Sequence, residues 1–420
     1  MRGMTSQRVF FGWYVALAFS LMAFLSTGIR FAIGPFLKPM VADLGLDRGT
    51  FSLVVAVGLL VYGAFQPFVG RLIDRFGART LVVAGALLMG ASLVATGYVT
   101  RLWHLYLWFG VVSSIGLAAT GPVVGSAVLS AWFARRRATA LSVLGSASMA
   151  GMTLLVPATM WCVLTYGWRM TYVLFGVASV VLIVPLGVFF VRNTPEALGL
   201  TPDGLPAAPS AGPVALDRTD LADASRTRPF WQLALGLFTC GFSMSLLSAH
   251  GVPMLTDHGY HPMLASWTLG VLGGSSAAFG IVLGALSDRF GSRPMLAWLY
   301  ASRALIFLGL FLIRDQPLVI LVVAVLGGVS MAGTVAMSSA LTAEIFGRLS
   351  VGSVFGTMFL VHQIGGGVGS WMSGALYETT GGYGAAFVVN SALLLAAAVL
   401  SITIDERRLV PQLVPVAGGR

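Results

Sequence analysis

Charge is what this chain has least of. Only 10% of its 420 residues are Asp, Glu, Lys or Arg and 57% are hydrophobic, whereas an ordinary soluble domain is about one quarter charged. That deficit excludes a water-soluble globular fold. Acidic residues are scarcer still, 15 in all, and only Glu344 comes near the interior of an apolar stretch, so the apolar regions hold no carboxylate that could trap an organic cation. The two cysteines, Cys162 and Cys240, have no His/Cys partners at metal-ligand spacing, and no cofactor or metal is implied. Alternating apolar and polar residues in segments of about ten, the mark of a membrane barrel, are also missing. So are the motifs of chemistry: there is no phosphate-binding loop and no nucleophile elbow in a plausible setting, and the expectation is that the protein is not an enzyme.

What remains is long uncharged runs, among them 49–70, 80–100, 170–191, 229–256 and 379–404, each long enough to cross a hydrocarbon core that needs about 20 apolar residues. Because every backbone group must be satisfied inside the bilayer, these runs read as helices. Twelve spans are expected, at 12–37, 50–70, 79–99, 102–131, 138–161, 169–191, 230–255, 263–286, 293–313, 317–343, 353–377 and 384–404. The first run follows Arg2 and Arg8 as a signal peptide would, but lacks a small-residue cleavage site and is taken as a retained helix. The fold class is therefore all-α membrane protein, with twelve transmembrane helices in two six-helix bundles. Residues 1–191 make the first bundle, 230–420 the second, and a Pro/Ala/Asp/Arg-rich stretch at 192–229 the linker.

The formal charge of +10 would suggest nucleic acid in a soluble chain. Here it is topology. With twelve spans, one side collects Arg71, Arg75, Arg79, Arg135, Arg136, Arg137, Arg289, Arg293 and most other arginines, while the opposite side has only Lys38, Arg48, Arg101, Arg169 and Arg314. The positive-inside rule then puts both termini in the cytoplasm, and the expected location is a cell (inner) membrane. No nucleic-acid partner is implied; the expected partners are a small organic anion, protons if transport is coupled, and membrane lipids, with the protein working as a monomer.

An internal repeat supports the two-bundle organisation. Gly70-Arg-Leu-Ile-Asp74-Arg75-Phe-Gly77-Ala-Arg79 recurs as Gly284-Ala-Leu-Ser-Asp288-Arg289-Phe-Gly291-Ser-Arg293, in the loops after spans 2 and 8. Gly70 and Gly284 would permit close helix approach, Gly77 and Gly291 a tight turn, and the Asp/Arg pairs charge-assisted bonds that hold helix ends together in one state. With Arg136 beside the start of span 5, these residues are candidates for a cytoplasmic gate. The alternative is a charged loop that merely obeys topology.

This repeated loop resembles the signature of the major facilitator superfamily. Two stretches are similar to its monocarboxylate-porter branch, including the oxalate/formate-antiporter relatives: Gly12-Trp13-Tyr14-Val15 at span 1, and Trp132-Phe133-Ala134-Arg135-Arg136-Arg137-Ala138-Thr139-Ala140 before span 5. Gly167-Trp168-Arg169 before span 6 is common across bacterial facilitators. The resemblance implies alternating-access transport, with spans 1 and 7 facing each other across a cavity and span 9 at the periphery. It breaks at two places. The branch's arginine in span 8, four residues before a glycine, falls on Gly280 here, and no Gly-Pro exchanger motif stands in span 5. Exchange, symport and uniport all stay open.

Ionisable groups inside spans cost about 2.5–3.5 kcal/mol on insertion scales, so each needs a partner, a wet cavity or a task. Arg30, beside the Gly34-Pro35 interruption of span 1, is the candidate anion anchor; the alternative is an arginine snorkelling outward. His250 in span 7 would lie at a depth similar to Arg30 and share its carboxylate, or serve structurally near the surface. His362 and Gln363 sit mid-span 11 before Gly365-Gly366-Gly367 as polar contacts or packing groups. Arg303 in span 9 is either structural or interfacial, or a stand-in for the missing span 8 arginine. Thr334, Ser338 and Thr342 share one face of span 10, as substrate contacts or as hydroxyls bonded to their own helix. The expected cargo is a small monocarboxylate or related organic anion; another neutral or anionic solute is the alternative.

Overall fold

A computed structural model describes residues 10–133, 136–204, 215–309, 316–347, 351–405 and 412–415. Of the expected features, Ala134, Arg135, Arg314 and the side chains of Arg137, Ala138 and Asp288 lie outside the described set. The protein is helical nearly throughout. Eight helices are long and apolar enough to cross a membrane by length and composition alone. One of these, Arg137–Phe190, contains two spans, because Gly167 takes φ 78° inside it. Adding Pro262–Phe290, Ser292–Gly309 and Gly356–Thr380 brings the count to the twelve expected. Outside the spans, residues 215–218 of the linker pair antiparallel with 412–415 of the tail.

Among the described residues three spans are broken, and glycine is at each break. Span 1 is Phe11–Phe31 continued by Gly34–Leu44. Pro35 lacks an N–H and suits the restart, since the first turn of a helix leaves its donors unpaired anyway. Span 4 stops at Thr120 and resumes at Pro122. Span 10 stops at Met331 and resumes at Thr334 after Gly333 at φ 79°. Interrupted helices of this kind expose backbone only where they are buried in protein or line a cavity.

Span pairing repeats across the linker. Span 1 packs on span 5 and span 7 on span 11; span 3 packs on span 6 and span 9 on span 12. Backbone contact is what these pairs require. A Cβ at Gly151 would run into the carbonyl of Phe24, and one at Gly241 into that of His362. Neither neighbour is a side chain that can rotate away. Gly241→Val is therefore expected to abolish a monodisperse folded species, since overpacking against fixed backbone lies at or above the usual penalty of about 1–3 kcal/mol. Gly284→Ala, with nothing within 4 Å of its Cβ, should fold normally. Size-exclusion profiles and melting temperatures in detergent check both, and a wild-type melt for Gly241→Val would contradict the packing.

The motif stretches are accounted for by contacts. Trp13 packs on Phe133 at 4.9 Å between centroids and Phe10 on Trp132 at 5.9 Å, while the Trp132 indole donates to the Arg192 carbonyl at 2.9 Å. At the other end, Asp43 accepts from Trp168 and Arg169, whose guanidinium also caps the carbonyls of Gly97 and Val99 at the end of span 3.

Candidate functional site

The first six spans meet the last six along span 2 against span 11 and span 5 against span 8. Contact is tightest toward the end opposite the chain termini. Gly374 abuts Ser52 and the Arg48 carbonyl, Gly367 faces the Ala56 carbonyl, and a Cβ at Gly63 would stand 2.7 Å from that of Gln363. Beyond Gly63 span 2 has an exposed face at Ala64, Pro67, Phe68 and Gly70, while Val69 on its other side stays buried.

Arg30 sits where that contact gives out. Its Nη2 donates to Oε1 of Gln363 at 3.0 Å, joining span 1 to span 11. The guanidinium carbon lies 4.5 Å from the centroid of the Tyr62 ring and 5.7 Å from that of Phe31. The described ion pairs are Lys38–Asp257, Arg48–Asp257 and Arg169–Asp43, so no described carboxylate neutralises Arg30. Around it are amides with unused capacity: the Nε2 of Gln363 and both amide atoms of Gln66 are buried with no hydrogen-bond partner among the described residues. Gln66 follows Tyr62 by four residues and shares its helix face. Such orphan groups in a native interior mark strain, function or a partner yet to bind. A carboxylate accepting from Arg30 would also accept from the Nε2 groups of Gln363 and Gln66, which have no other partner among the described residues.

His250 is engaged elsewhere. It is buried, with Nε2 3.0 Å from Ser52 Oγ and 3.1 Å from the Ser370 carbonyl, and Nδ1 3.1 Å from the Tyr383 hydroxyl. A carbonyl can only accept, so Nε2 carries the proton and Nδ1 accepts from Tyr383. Tyr383 in turn accepts from Arg48 Nη1 at 2.8 Å. Both ring nitrogens are thus committed to a clasp joining spans 2, 7 and 11 to Tyr383 ahead of span 12, which leaves neither free for the carboxylate that His250 was expected to share with Arg30.

That clasp has an ionic rim. Arg48 forks onto Asp257 at 2.5 and 3.1 Å, Lys38 reaches the same carboxylate at 2.7 Å, and the Arg48 backbone N–H donates to Glu378 at 2.9 Å. The Tyr377 ring lies 3.9 Å from the guanidinium. Burial pushes the Asp257 carboxyl upward, but Arg48 and Lys38 outweigh it and hold it below the usual carboxylate range. This cluster is not legible in the sequence, where Lys38 and Arg48 read simply as loop charges. Tyr62 and Gln66 were also missed; polar residues four apart in an otherwise apolar span were their only signal.

Arg303 does not face the periphery. It is 1% exposed and reaches inward: Nη1 donates to Ser243 at 3.1 Å and lies 3.5 Å from Cys240 Sγ, and Nη2 donates to the Ser330 carbonyl at 2.6 Å and to Thr334 at 3.0 Å. It ties span 9 to span 7 and to the break in span 10. Ser338 and Thr342 bond back to the carbonyls of Thr334 and Ser338, as hydroxyls in helices often do. His362 stacks on Phe359 at 5.1 Å, with both ring nitrogens buried and lacking a hydrogen-bond partner among the described residues.

The repeated loops are apart in this conformation. Gly70 and Gly284 have no atom within 4 Å of a Cβ position, so neither mediates a close approach here. Asp74, Arg75, Arg79 and Arg289 are exposed, with Arg75 and Arg289 lying over the neighbouring Phe76 and Phe290 rings. Arg293 donates to the carbonyl of Ile404 at 3.1 Å, and the Arg136 backbone N–H to Asp203 at 3.4 Å. Among the described residues, the close glycine contacts between the halves gather at the end of Ser52 and Gly374, and Gly70 and Gly284 of the repeated loops make none.

Comparison with known proteins agrees with this fold. The family model described as Major Facilitator Superfamily matches residues 19–323 and 233–417. The MFS-type transporter YcxA of Bacillus subtilis (strain 168) is 28% identical over 88% of this chain and 90% of its own. Monocarboxylate transporter 13 of Bos taurus is 27% identical over 94% and 89%, and monocarboxylate transporter 11 of Homo sapiens 28% over 93% and 82%. A bacterial homolog of the human lysosomal transporter Spinster has the same fold, with TM-score 0.72 at 16% identity, covering 94% of this chain and 97% of that one.

Proposed function

Since this chain belongs to the major facilitator superfamily, and so is a multi-pass membrane transporter of a small molecule similar to the monocarboxylate-transporter branch, we propose that its cargo is a small monocarboxylate or related organic anion anchored by Arg30. One observation carries this: a guanidinium at the meeting of the two halves, without a carboxylate, bonded to a single amide oxygen. Arginine side chains stay protonated in proteins, and a planar fork matches a carboxylate in two parallel bonds. An arriving carboxylate would displace Gln363 Oε1 from Nη2. Gln363 would then turn its unpartnered Nε2 toward the same anion, with Gln66 as a further donor.

The exchange has a mechanical consequence. Arg30 belongs to span 1 and Gln363 to span 11, so the ligand bridges the bundles 1–191 and 230–420, and differential contact in the two states is what biases alternating access. The clasp of Arg48, Asp257, Lys38, Tyr383 and His250 is the closed gate of this state, and the loops of Asp74 and Asp288 close the other. By the charge asymmetry of the loops, the open end faces the cytoplasm of a cell whose inner membrane holds the protein as a monomer.

Proton coupling is open to His362 or to the substrate's own carboxyl. Anion exchange is the second reading, favoured because no described carboxylate stands at Arg30 to take a proton and neutralise an empty carrier. Uptake of labelled lactate, pyruvate and oxalate into proteoliposomes tests the proposal; saturable uptake of at least one is expected, and failure of all three overturns it. Counterflow without a proton gradient separates exchange from symport.

A further inference from the structure

Arg303 is as deeply buried as any charged group described. It has no carboxylate partner, and its Nε has no hydrogen-bond partner among the described residues. Neutral acceptors occupy the two Nη atoms, so hydrogen bonding is largely satisfied while the charge is not. A charge taken out of water calls for a counter-charge as well as hydrogen bonds. If Arg303 were only a bolt between spans 7, 9 and 10, a neutral amide would do the same at lower cost.

Beside it is a cavity within the second six spans. Its walls are Leu247 and Gly251 of span 7, Leu272 of span 8, Phe307 of span 9, and Ile320 and Ala324 of span 10, with Arg303 as the charged member of the lining. The cavity measures about 50 Å³. At roughly 10–15 Å³ for each water-sized occupant, that is room for about four such atoms. Water is a poor filler, because apolar walls supply few of the two to four polar partners that a buried water needs. The combination of one unneutralised guanidinium and a small greasy chamber specifies an anion with a short hydrocarbon tail.

We propose that Arg303 heads a second anion site, inside the C-terminal six spans and separate from Arg30, that takes a short branched aliphatic carboxylate. The carboxylate accepts from Nε, and the tail fills the space between Leu247, Leu272, Phe307 and Ile320. Occupancy there bears on the break in span 10, since Arg303 holds Ser330 before it and Thr334 after it. The site stands whether or not Arg30 anchors the transported anion.

Isobutyrate is the probe, with formate as charge without tail and isobutyramide as tail without charge. Equilibrium binding and melting temperature are measured on purified full-length Arg30→Gln protein, which lacks the central anchor. Isobutyrate is expected to bind and stabilise it, and the two controls to bind far more weakly. Adding Arg303→Met should weaken isobutyrate roughly 10- to 100-fold; adding Ala324→Leu, which fills the chamber and leaves the guanidinium, should also abolish the preference for isobutyrate over formate. Should Arg303→Met not fold, Ala324→Leu decides alone. The proposal is overturned if Arg30→Gln loses all isobutyrate binding, or if isobutyrate binds the Ala324→Leu protein as tightly as its parent. A purely structural Arg303 would lower the melting temperature of Arg303→Met and leave isobutyrate affinity where it was.

Discussion

Arg30→Gln is expected to lose carboxylate transport while keeping its fold. Leaving an anion without its buried, hydrogen-bonded cation costs about 2–5 kcal/mol, which is roughly 30- to 4000-fold in affinity. Glutamine can still bond to Gln363 and pack on Tyr62, so the contacts that hold spans 1, 2 and 11 together survive. The melting temperature should therefore move little without ligand, and the ligand-induced shift should vanish. Arg30→Lys is the sharper comparison, because it retains charge and loses the planar fork; partial transport with weakened affinity is expected. Wild-type affinity for the transported carboxylate in Arg30→Gln would refute the anchor, whatever happened to turnover.

Breaking the clasp should have the next largest effect, on conformation rather than on binding chemistry. Asp257→Asn removes the one carboxylate that Lys38 and Arg48 share, and leaves Arg48, whose side chain is 13% exposed, with neutral partners. The pair is partly screened, so a shift of about 1–3 kcal/mol is expected, or roughly 5- to 150-fold in the balance between the two states. Spin labels at Ala42→Cys and Thr379→Cys, on either side of the clasp and in a background without Cys162 and Cys240, should report a longer distance population in Asp257→Asn. An unchanged distribution would mean that the apolar contacts of spans 2 and 11 close this end without ionic help. The pH dependence has a definite sign. Because the carboxyl of Asp257 is held below its usual range, the clasp is fully formed above the ordinary carboxylate pKa and is lost only as pH falls through the depressed value. Across pH 5.5–8 the distances should not move, and any pH dependence of transport in that window has another source.

The twelve spans, the repeat and the sidedness of the charges were legible because each is written locally: about twenty apolar residues, a ten-residue motif stated twice, arginines clustered between hydrophobic runs. Arg30 stands out in the sequence for a similar reason, since a lone cation in an apolar run is expensive, and its part in binding is what Arg30→Gln tests. His250 misled. A titratable group at the right depth has no orientation in one dimension, and its ring turned out to face Ser52, Ser370 and Tyr383 rather than an anion. For Arg303 the peripheral place of its span left structural and interfacial readings side by side, and the structure excludes only the second: the long side chain reaches inward to Ser243, Ser330 and Thr334.

What sequence alone determined about this protein is how much of it lies in the membrane and which residues are too costly to be there without cause. Hydrophobic length and charge placement set those, and both are properties of single segments. Only tertiary structure decided which costly residues meet. Arg30 finds Gln363 across 333 positions and Arg48 finds Asp257 across 209, because glycines let spans 2 and 11 approach to backbone contact, and no local pattern encodes which glycine will face which helix.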